Sequence, residues 1–153
     1  LDALDARVAV VDNRSDDGSA DEIERWLAGP EAWKGRVTLI RSRTNSGFSG
    51  GNNQGVAALD APLYLLLNSD AIARPGALRA LVDAAAREKD AGIIAPRLED
   101  PDGTAQISCF HFHSPLSEFL SAAQTGPLDA LFRFAVVPRA VAEETIDCQW
   151  VSF

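Results

Sequence analysis

The stretch Leu63-Tyr64-Leu65-Leu66-Leu67-Asn68-Ser69-Asp70-Ala71 decides how the chain is read. Its first five residues are apolar without a polar break, and the run stops at Asn-Ser-Asp. An unbroken apolar run of this length between turn residues is the pattern of a strand covered on both faces, the usual state of a parallel sheet. Open α/β sheets bind ligands beyond the carboxyl ends of their strands, so Asn68, Ser69 and Asp70 are expected at a ligand-facing rim. Asp70 brings a charge to the end of an apolar strand, where it needs a cation, a hydrogen-bond donor or solvent. The plain alternative is a strand-to-helix turn in which Asp70 caps the next helix.

On the N-terminal side the same order of strand, polar loop and helix occurs twice. Leu1–Ala6 reads as a helix tail or linker, and Arg7–Val11 as a strand that ends in Asp12-Asn13-Arg14-Ser15-Asp16-Asp17-Gly18-Ser19, a tight loop. Ser19 or Asp21 is a candidate cap for a helix carrying Ile23, Trp26 and Leu27 at helical spacing and stopped by Gly29-Pro30. Val37–Ile40 is a second strand, followed by Arg41–Arg43 and by Thr44-Asn45-Ser46-Gly47-Phe48-Ser49-Gly50-Gly51-Asn52-Asn53-Gln54-Gly55. A helix is predicted there from near Gly50 to about Leu59, with glycines that let another backbone or a ligand come close.

On the C-terminal side Pro75 is expected to start a helix with Leu78, Leu81, Val82 and Ala85 on its apolar face and Lys89 in its last turn. Ala91–Ala95 reads as a short buried strand, and Asp100-Pro101-Asp102-Gly103 as a turn closing a hairpin into Ala105–Phe112. Leu116–Gln124 is expected to be helical and Ile146–Phe153 extended. Alternating strands and helices through Ala95 define an α/β protein with a largely parallel sheet. His111 and His113 alternate on the last predicted strand and read as partly exposed structural histidines, with Phe110 and Phe112 toward the core. Trp26 and Trp33 read as packing residues.

The totals bound the function. The chain has 153 residues, enough for one domain with a core, and 22 Asp and Glu against 14 Lys and Arg give a net charge of -8. No basic cluster of the kind a duplex requires is present, so nucleic acid is not an expected partner. No apolar run reaches the roughly 18 residues of a membrane span. Cys109 and Cys148 lack metal-ligand spacing and are compatible with a reduced, cytoplasmic setting, although a single bridge between them remains open. The glycines at 47, 50, 51 and 55 do not form G-x-G-x-x-G, and neither a P-loop nor a G-x-S-x-G elbow occurs.

Three polar clusters follow three successive predicted strands, namely Asp12–Ser19, Arg41–Asn53 and Asn68–Asp70. In order, V-V-D-N-R-S-D-D-G-S, R-T-N-S-G-F-S-G-G-N-N-Q-G and L-L-L-N-S-D-A resemble the motifs of family 2 glycosyltransferases of the GT-A fold, and most closely those of the rhamnosyltransferase-like branch. The resemblance covers Val8 to Arg97 and extends weakly to Trp150-Val-Ser. It implies a Rossmann-like fold with a mostly parallel central sheet and flanking helices. It also implies an inverting transfer of a sugar from a dTDP- or UDP-sugar to an acceptor hydroxyl, on a glycan or lipid-linked acceptor of cell-surface glycan synthesis.

What the resemblance implies for single residues follows the motifs. Asp12 matches the acid that holds the base or ribose, and a carboxylate there can accept from a pyrimidine N–H or a ribose hydroxyl; its plain alternative is an Asx-turn into Asn13 and Ser15. Asn13, Ser15, Arg43, Asn45, Gly47, Asn53, Asn68 and Ser69 fall on nucleotide-side positions, with Arg43 favoured over Arg41. Asp70 matches the metal-binding acid, expected to bind Mg²⁺ or Mn²⁺ bridging the donor diphosphate. Trp150 matches a tryptophan bordering the acceptor site, and the match departs from the family pattern at Phe153.

The family's opening strand, which runs centrally between those ending at Asp12 and Asn68, has no counterpart before Arg7, and its catalytic E-D motif is expected beyond Phe153. The chain is therefore expected to be a fragment lacking the usual first strand and C-terminal part, and inactive alone. Asp147, Glu144 and Glu143 are the only local substitutes for the base. Residues 1–153 form one partial nucleotide-sugar-binding domain in this reading, with 1–97 as the nucleotide-binding core and 98–153 opening the acceptor side. The expected location is cytoplasmic, peripheral at the inner membrane face at most. The competing readings are a non-catalytic nucleotide-sugar-binding module and a sugar nucleotidyltransferase; the latter lacks its expected G-G-x-G-T-R segment.

Overall fold

The computed structural model of the chain describes residues 4–29, 35–123, 126–135, 137–139, 141 and 143–152. The chain folds as two compact units, Leu1–Ala71 and Ile72–Phe153. The first contains β1 (Val8–Asp12), α1 (Ser19–Leu27), β2 (Val37–Arg41) and α2 (Gly47–Ala57). The β-branched runs at Val8–Val11 and Val37–Ile40 pair in parallel, from Val8 opposite Val37 to Asp12 opposite Arg41. Hydrogen bonds from Val8 N to Arg36 O (2.7 Å) and from Ser42 N to Asp12 O (2.9 Å) carry the ladder past both ends. Parallel pairing in this register places Asp12 and Arg41 side by side at the carboxyl edge.

The two helices start by different means. Neither Ser19 nor Asp21 caps α1; Gly18, at φ 85°, precedes it, and the Asp17 carboxylate accepts both the backbone N–H (2.9 Å) and the hydroxyl of Ser19. The loop's acidic residue thus takes the role expected of the helix's own first turn. Asp21 and Glu22 in that turn still face the positive end of the helix dipole. The helix ends at Leu27 before Gly29; Pro30 and Trp33 lie outside the described residues. Trp26 is 48% exposed, so it covers surface and is not core.

The second helix, α2, begins at Gly47, ahead of the expected start near Gly50, and ends at Ala57. Its glycines serve close approach. A Cβ at Gly55 would come within 3.3 Å of Val11 Cγ2, and one at Gly51 within 3.7 Å of Asn13 Nδ2. The helix therefore rests on β1 through bare backbone.

Leu63–Leu67 departs most from expectation. The segment belongs to no ladder among the described residues, and its side chains are 42–56% exposed. A doubly covered strand requires neighbours on both edges. Here β1 carries β2 on one edge and, among the described residues, no strand on the other. Tyr64 accounts for the local course of the chain, donating its hydroxyl to Leu59 O (2.9 Å) and accepting from Ala61 N (3.2 Å).

The second unit comprises α3 (Ala77–Arg87), β3 (Cys109–Phe110), α4 (Pro115–Ala123), α5 (Gly126–Leu131), a 3₁₀ turn at Arg133–Ala135 and β4 (Trp150–Val151). Gly76 at φ 85°, not Pro75, immediately precedes α3, and Lys89 lies beyond its end, leaving Arg87 in the last turn. Leu78, Leu81 and Ala85 are half-buried on the expected face, while Val82 is exposed. Ala91–Ala95 forms no strand, and Ile93 is 79% exposed. Its apolar run, like that of Leu63–Leu67, joins no ladder among the described residues.

The Asp100–Gly103 turn does close a hairpin. Glu99 bridges Ala105, Gly103 N donates to Asp100 O (2.8 Å), and Gln106 N donates to Leu98 O (2.9 Å). Of the expected Ala105–Phe112 strand, Cys109–Phe110 forms a ladder antiparallel to β4, and Ala105 makes the single bridge to Glu99. Phe110 stacks on Trp150, but Phe112 is 64% exposed and does not join the core. α4 fits the helix expected over Leu116–Gln124 as far as Ala123; Gln124 and Phe153 lie outside the described residues. Among the described residues the buried apolar side chains are Ala20 and Leu120, one in each unit.

Candidate nucleotide site

The site is built at the carboxyl edge of β1 and β2, in the first unit. Asp12 is the last residue of β1 and half-buried, and its Oδ1 accepts the Ser15 backbone N–H at 3.2 Å. That bond spans three residues, one more than an Asx-turn, and ties the loop back to the end of β1. A carboxylate offers about four lone-pair positions, so one backbone bond leaves acceptor capacity for a ligand. Arg14, at φ 66°, bends the chain away immediately after Asn13.

Asn13 is the hub of the loop. Its Nδ2 donates to Asn45 Oδ1 (3.0 Å) and Gly47 O (2.9 Å), while its Oδ1 accepts from Ser46 N (3.0 Å) and Ser46 Oγ (3.2 Å). Both donors and both acceptors of the amide are engaged inside the protein. Asn45 Oδ1 also accepts from Gly47 N at 2.9 Å, closing the turn that starts α2. Behind it, Ser42 Oγ donates to Gln54 Oε1 (2.6 Å) and Gln54 Nε2 donates to Ser46 Oγ (3.1 Å). Sequence reasoning missed Ser42, Ser46 and Gln54. Their only signal was the density of small polar residues between Ser42 and Gln54.

Arg41 ends β2 and turns toward α1, while Arg43, the arginine favoured for the nucleotide, lies beyond the strand. Arg41 Nη2 bonds Asp21 Oδ1 (2.6 Å) and Glu24 Oε2 (2.8 Å), tying β2 to α1. The hydrogen bond to Asp21, with the nearby charges of Glu24, Asp21 and Asp12, holds the Arg41 guanidinium pKa above its ordinary value. Arg43 is exposed.

Between the β1 loop, α1 and Arg41 opens a cavity of about 270 Å³, lined by Asp12, Ser15, Asp16, Gly18, Asp21 and Arg41. Its carboxylates favour a ligand face rich in N–H and O–H donors over a bare anion. Of the other expected residues, Asn53 is exposed on α2, and Asn68 is half-buried with its carbonyl accepting from Ala71 N (3.1 Å). Ser69 and Asp70 are exposed in the same turn. The structure thus brings two of the three polar clusters to one sheet edge; among the described residues no ladder joins the third to it.

In the second unit Trp150 stacks on Phe110 with ring centroids 4.3 Å apart and donates its indole N–H to His111 O at 3.1 Å. Glu143, Glu144 and Asp147 are exposed, and Asp147 O accepts from Arg139 Nη1 at 2.5 Å. His113 pairs with Glu118, which fits a structural histidine. Among the described residues no group of three or more His, Cys, Asp or Glu side chains gathers to hold a metal. Nor is any helix among them long and apolar enough to cross a membrane.

A small parallel sheet with flanking helices and a polar rim at its carboxyl edge defines an α/β protein of the GT-A-like type. The model of glycosyl transferase family 2 matches residues 2–142, and the chain belongs to that family. Its class of reaction is glycosyl transfer from a nucleotide-sugar donor to an acceptor. Comparison with curated proteins and with solved structures found no match.

Proposed function

We propose that this chain is the donor-binding core of an inverting glycosyltransferase of the rhamnosyltransferase-like branch. It takes a dTDP- or UDP-sugar and serves transfer of a hexosyl or deoxyhexosyl group to an acceptor hydroxyl in cell-surface glycan synthesis. The observation that carries the reading is the cavity of about 270 Å³ at the carboxyl edge of the parallel pair, with Asp12 on its wall.

In this reading Asp12 accepts a base N–H or ribose hydroxyl with its remaining lone pairs, while Arg43, just after β2, and Asn53, on α2, both exposed, reach the nucleotide. Asn13, Asn45 and Gly47 act by holding the loop in shape through the bonds they already make. Asp70 presents one exposed hard oxygen donor group. It fits Mg²⁺ or Mn²⁺ only as one ligand of several, the donor's phosphate oxygens making up the rest. Such an ion, when bound, neutralises charge on the leaving diphosphate. A carboxylate then takes the proton of the acceptor hydroxyl as it attacks the anomeric carbon. On this chain the candidates for that base are Glu144 and Asp147, and Trp150 borders the acceptor.

Calorimetry with UDP and dTDP, with and without Mn²⁺, tests the reading on the wild type, Asp12→Asn and Asp70→Ala. Asp12→Asn is expected to weaken nucleotide binding by about 1–3 kcal/mol, and Asp70→Ala to remove the metal-dependent part. Affinity indifferent to both variants and to the metal would overturn it. A non-catalytic nucleotide-sugar-binding module is the second reading. It is favoured by the absence of any ladder joining the Asn68–Asp70 segment to the β1–β2 sheet among the described residues. Donor hydrolysis or transfer by this chain would rule that module out.

A further inference from the structure

Asp12 closes β1 and Arg41 closes β2, and the parallel register sets them opposite each other. Ser42 N donates to Asp12 O at 2.9 Å, so the ladder runs past the pair and fixes their backbones side by side. Neighbouring strands are about 4.8 Å apart, a gap that an arginine side chain spans. Both residues also line the same cavity. A carboxylate and a guanidinium so placed are natural partners for a charge-assisted fork of hydrogen bonds. The Arg41 guanidinium turns the other way. Its Nη2 bonds Asp21 Oδ1 (2.6 Å) and Glu24 Oε2 (2.8 Å) on α1, while Asp12 accepts the backbone N–H of Ser15 (3.2 Å). Asp21 and Glu24 stand at i, i+3 spacing, which puts both carboxylates on one face of the helix. Their side chains are 68% and 70% exposed, so either bond alone is weak and the two together set where the cation rests.

We propose that Asp21 and Glu24 are positioning residues of the nucleotide site, drawing Arg41 off Asp12 so that the Asp12 carboxylate stays open to the N–H and O–H donors of a nucleoside diphosphate. The inference rests on the nucleotide reading of the cavity given above. An Arg41 released from α1 falls back on Asp12, its partner across the strand pair, and fills the lone pairs with its own N–H donors. Base or ribose must then displace a cation from the acceptor it needs, and binds less tightly. Neither Asp21 nor Glu24 has to touch the nucleotide, because both act through Arg41.

Calorimetry with UDP and dTDP on the full chain compares the wild type, Asp21→Asn/Glu24→Gln, and that double variant with Arg41→Gln added. The double variant should bind about three- to tenfold more weakly, and removing the arginine should return most of the loss. Glu24→Gln alone, which leaves the Asp21 bond, should show a smaller part of the effect. A merely structural tie between β2 and α1 gives another pattern: Arg41→Gln cannot mend a tie, so the triple variant would bind no better than the double. Affinity within about twofold of wild type in the double variant, or no recovery in the triple, would overturn the proposal. NMR without nucleotide separates that result from failure of the nucleotide reading. Cross-peaks between the Arg41 Hδ and Asp12 Hβ protons should appear or strengthen in the double variant, and Arg41 turning to Asp16 or to solvent instead would overturn the proposal. A wild type that binds neither nucleotide, with those cross-peaks present in the double variant, would sink the nucleotide reading.

Discussion

Replacing Asn13 by alanine removes four hydrogen bonds at once, two donated to Asn45 Oδ1 and Gly47 O and two accepted from Ser46. Intramolecular hydrogen bonds contribute about 0.5–1.5 kcal/mol each, and a half-buried site belongs at the low end, so the loss is about 2–3 kcal/mol. Asn13→Asp is the sharper perturbation. It keeps an acceptor for Ser46 but turns the donor into an oxygen facing Asn45 Oδ1 (3.0 Å) and Gly47 O (2.9 Å). Acceptor against acceptor repels, so the aspartate variant should be at least as unstable as the alanine variant despite its closer size. Amide hydrogen exchange at Ser46 and Gly47 reads this locally. Both amides should exchange faster by a factor on the order of 5–30 per 1–2 kcal/mol lost, while amides of α4 stay unchanged. Protection at Ser46 within about twofold of wild type in both variants would refute the hub.

Gly55→Leu puts a branched side chain where even a Cβ would lie 3.3 Å from Val11 Cγ2, and should cost about 1–3 kcal/mol in thermal or urea unfolding; an unchanged midpoint would show that α2 is not seated on β1. The Asp17 carboxyl is held below its ordinary value of 3.8, chiefly by the Ser19 hydroxyl and then by its N–H. Its folded pKa being lower than its unfolded one, its support for the start of α1 is complete above about pH 4 and is lost as pH falls through the depressed value. An NMR titration should find the Asp17 midpoint below its ordinary value of 3.8, and a midpoint at or above that value would contradict the Asp17–Ser19 bonds.

The N-terminal half of the first unit was legible because strand and helix alternate there with short polar loops. β1 and β2 appear where Val-rich runs predicted them, and their parallel register puts Asp12 and Arg41 on one edge. Leu63–Leu67 and Ala91–Ala95 were misread for one shared reason. An apolar run reports the wish to be buried, whereas a strand also needs a neighbour for its backbone, and no local pattern supplies one. Helix starts shifted because Gly18 and Gly76 adopt left-handed conformations just ahead of α1 and α3. The Asn13 network joins residues far apart in sequence, so neither spacing nor periodicity marks it.

Exposure of Leu63–Leu67 has a consequence for how copies of the chain behave toward one another. Five uncharged, exposed side chains on a segment that joins no ladder among the described residues make a short template for intermolecular β-pairing. Asp60 and Pro62 stand before the run and Asp70 after it, charge and proline that interrupt a growing strand at both ends. The net charge of -8 adds repulsion between copies at low ionic strength. Salt screens that repulsion over about 10 Å at 0.1 M and about 3 Å at 1 M, while the apolar run is untouched by it. Colloidal stability therefore rests on electrostatics, and concentrated salt is the condition that withdraws it.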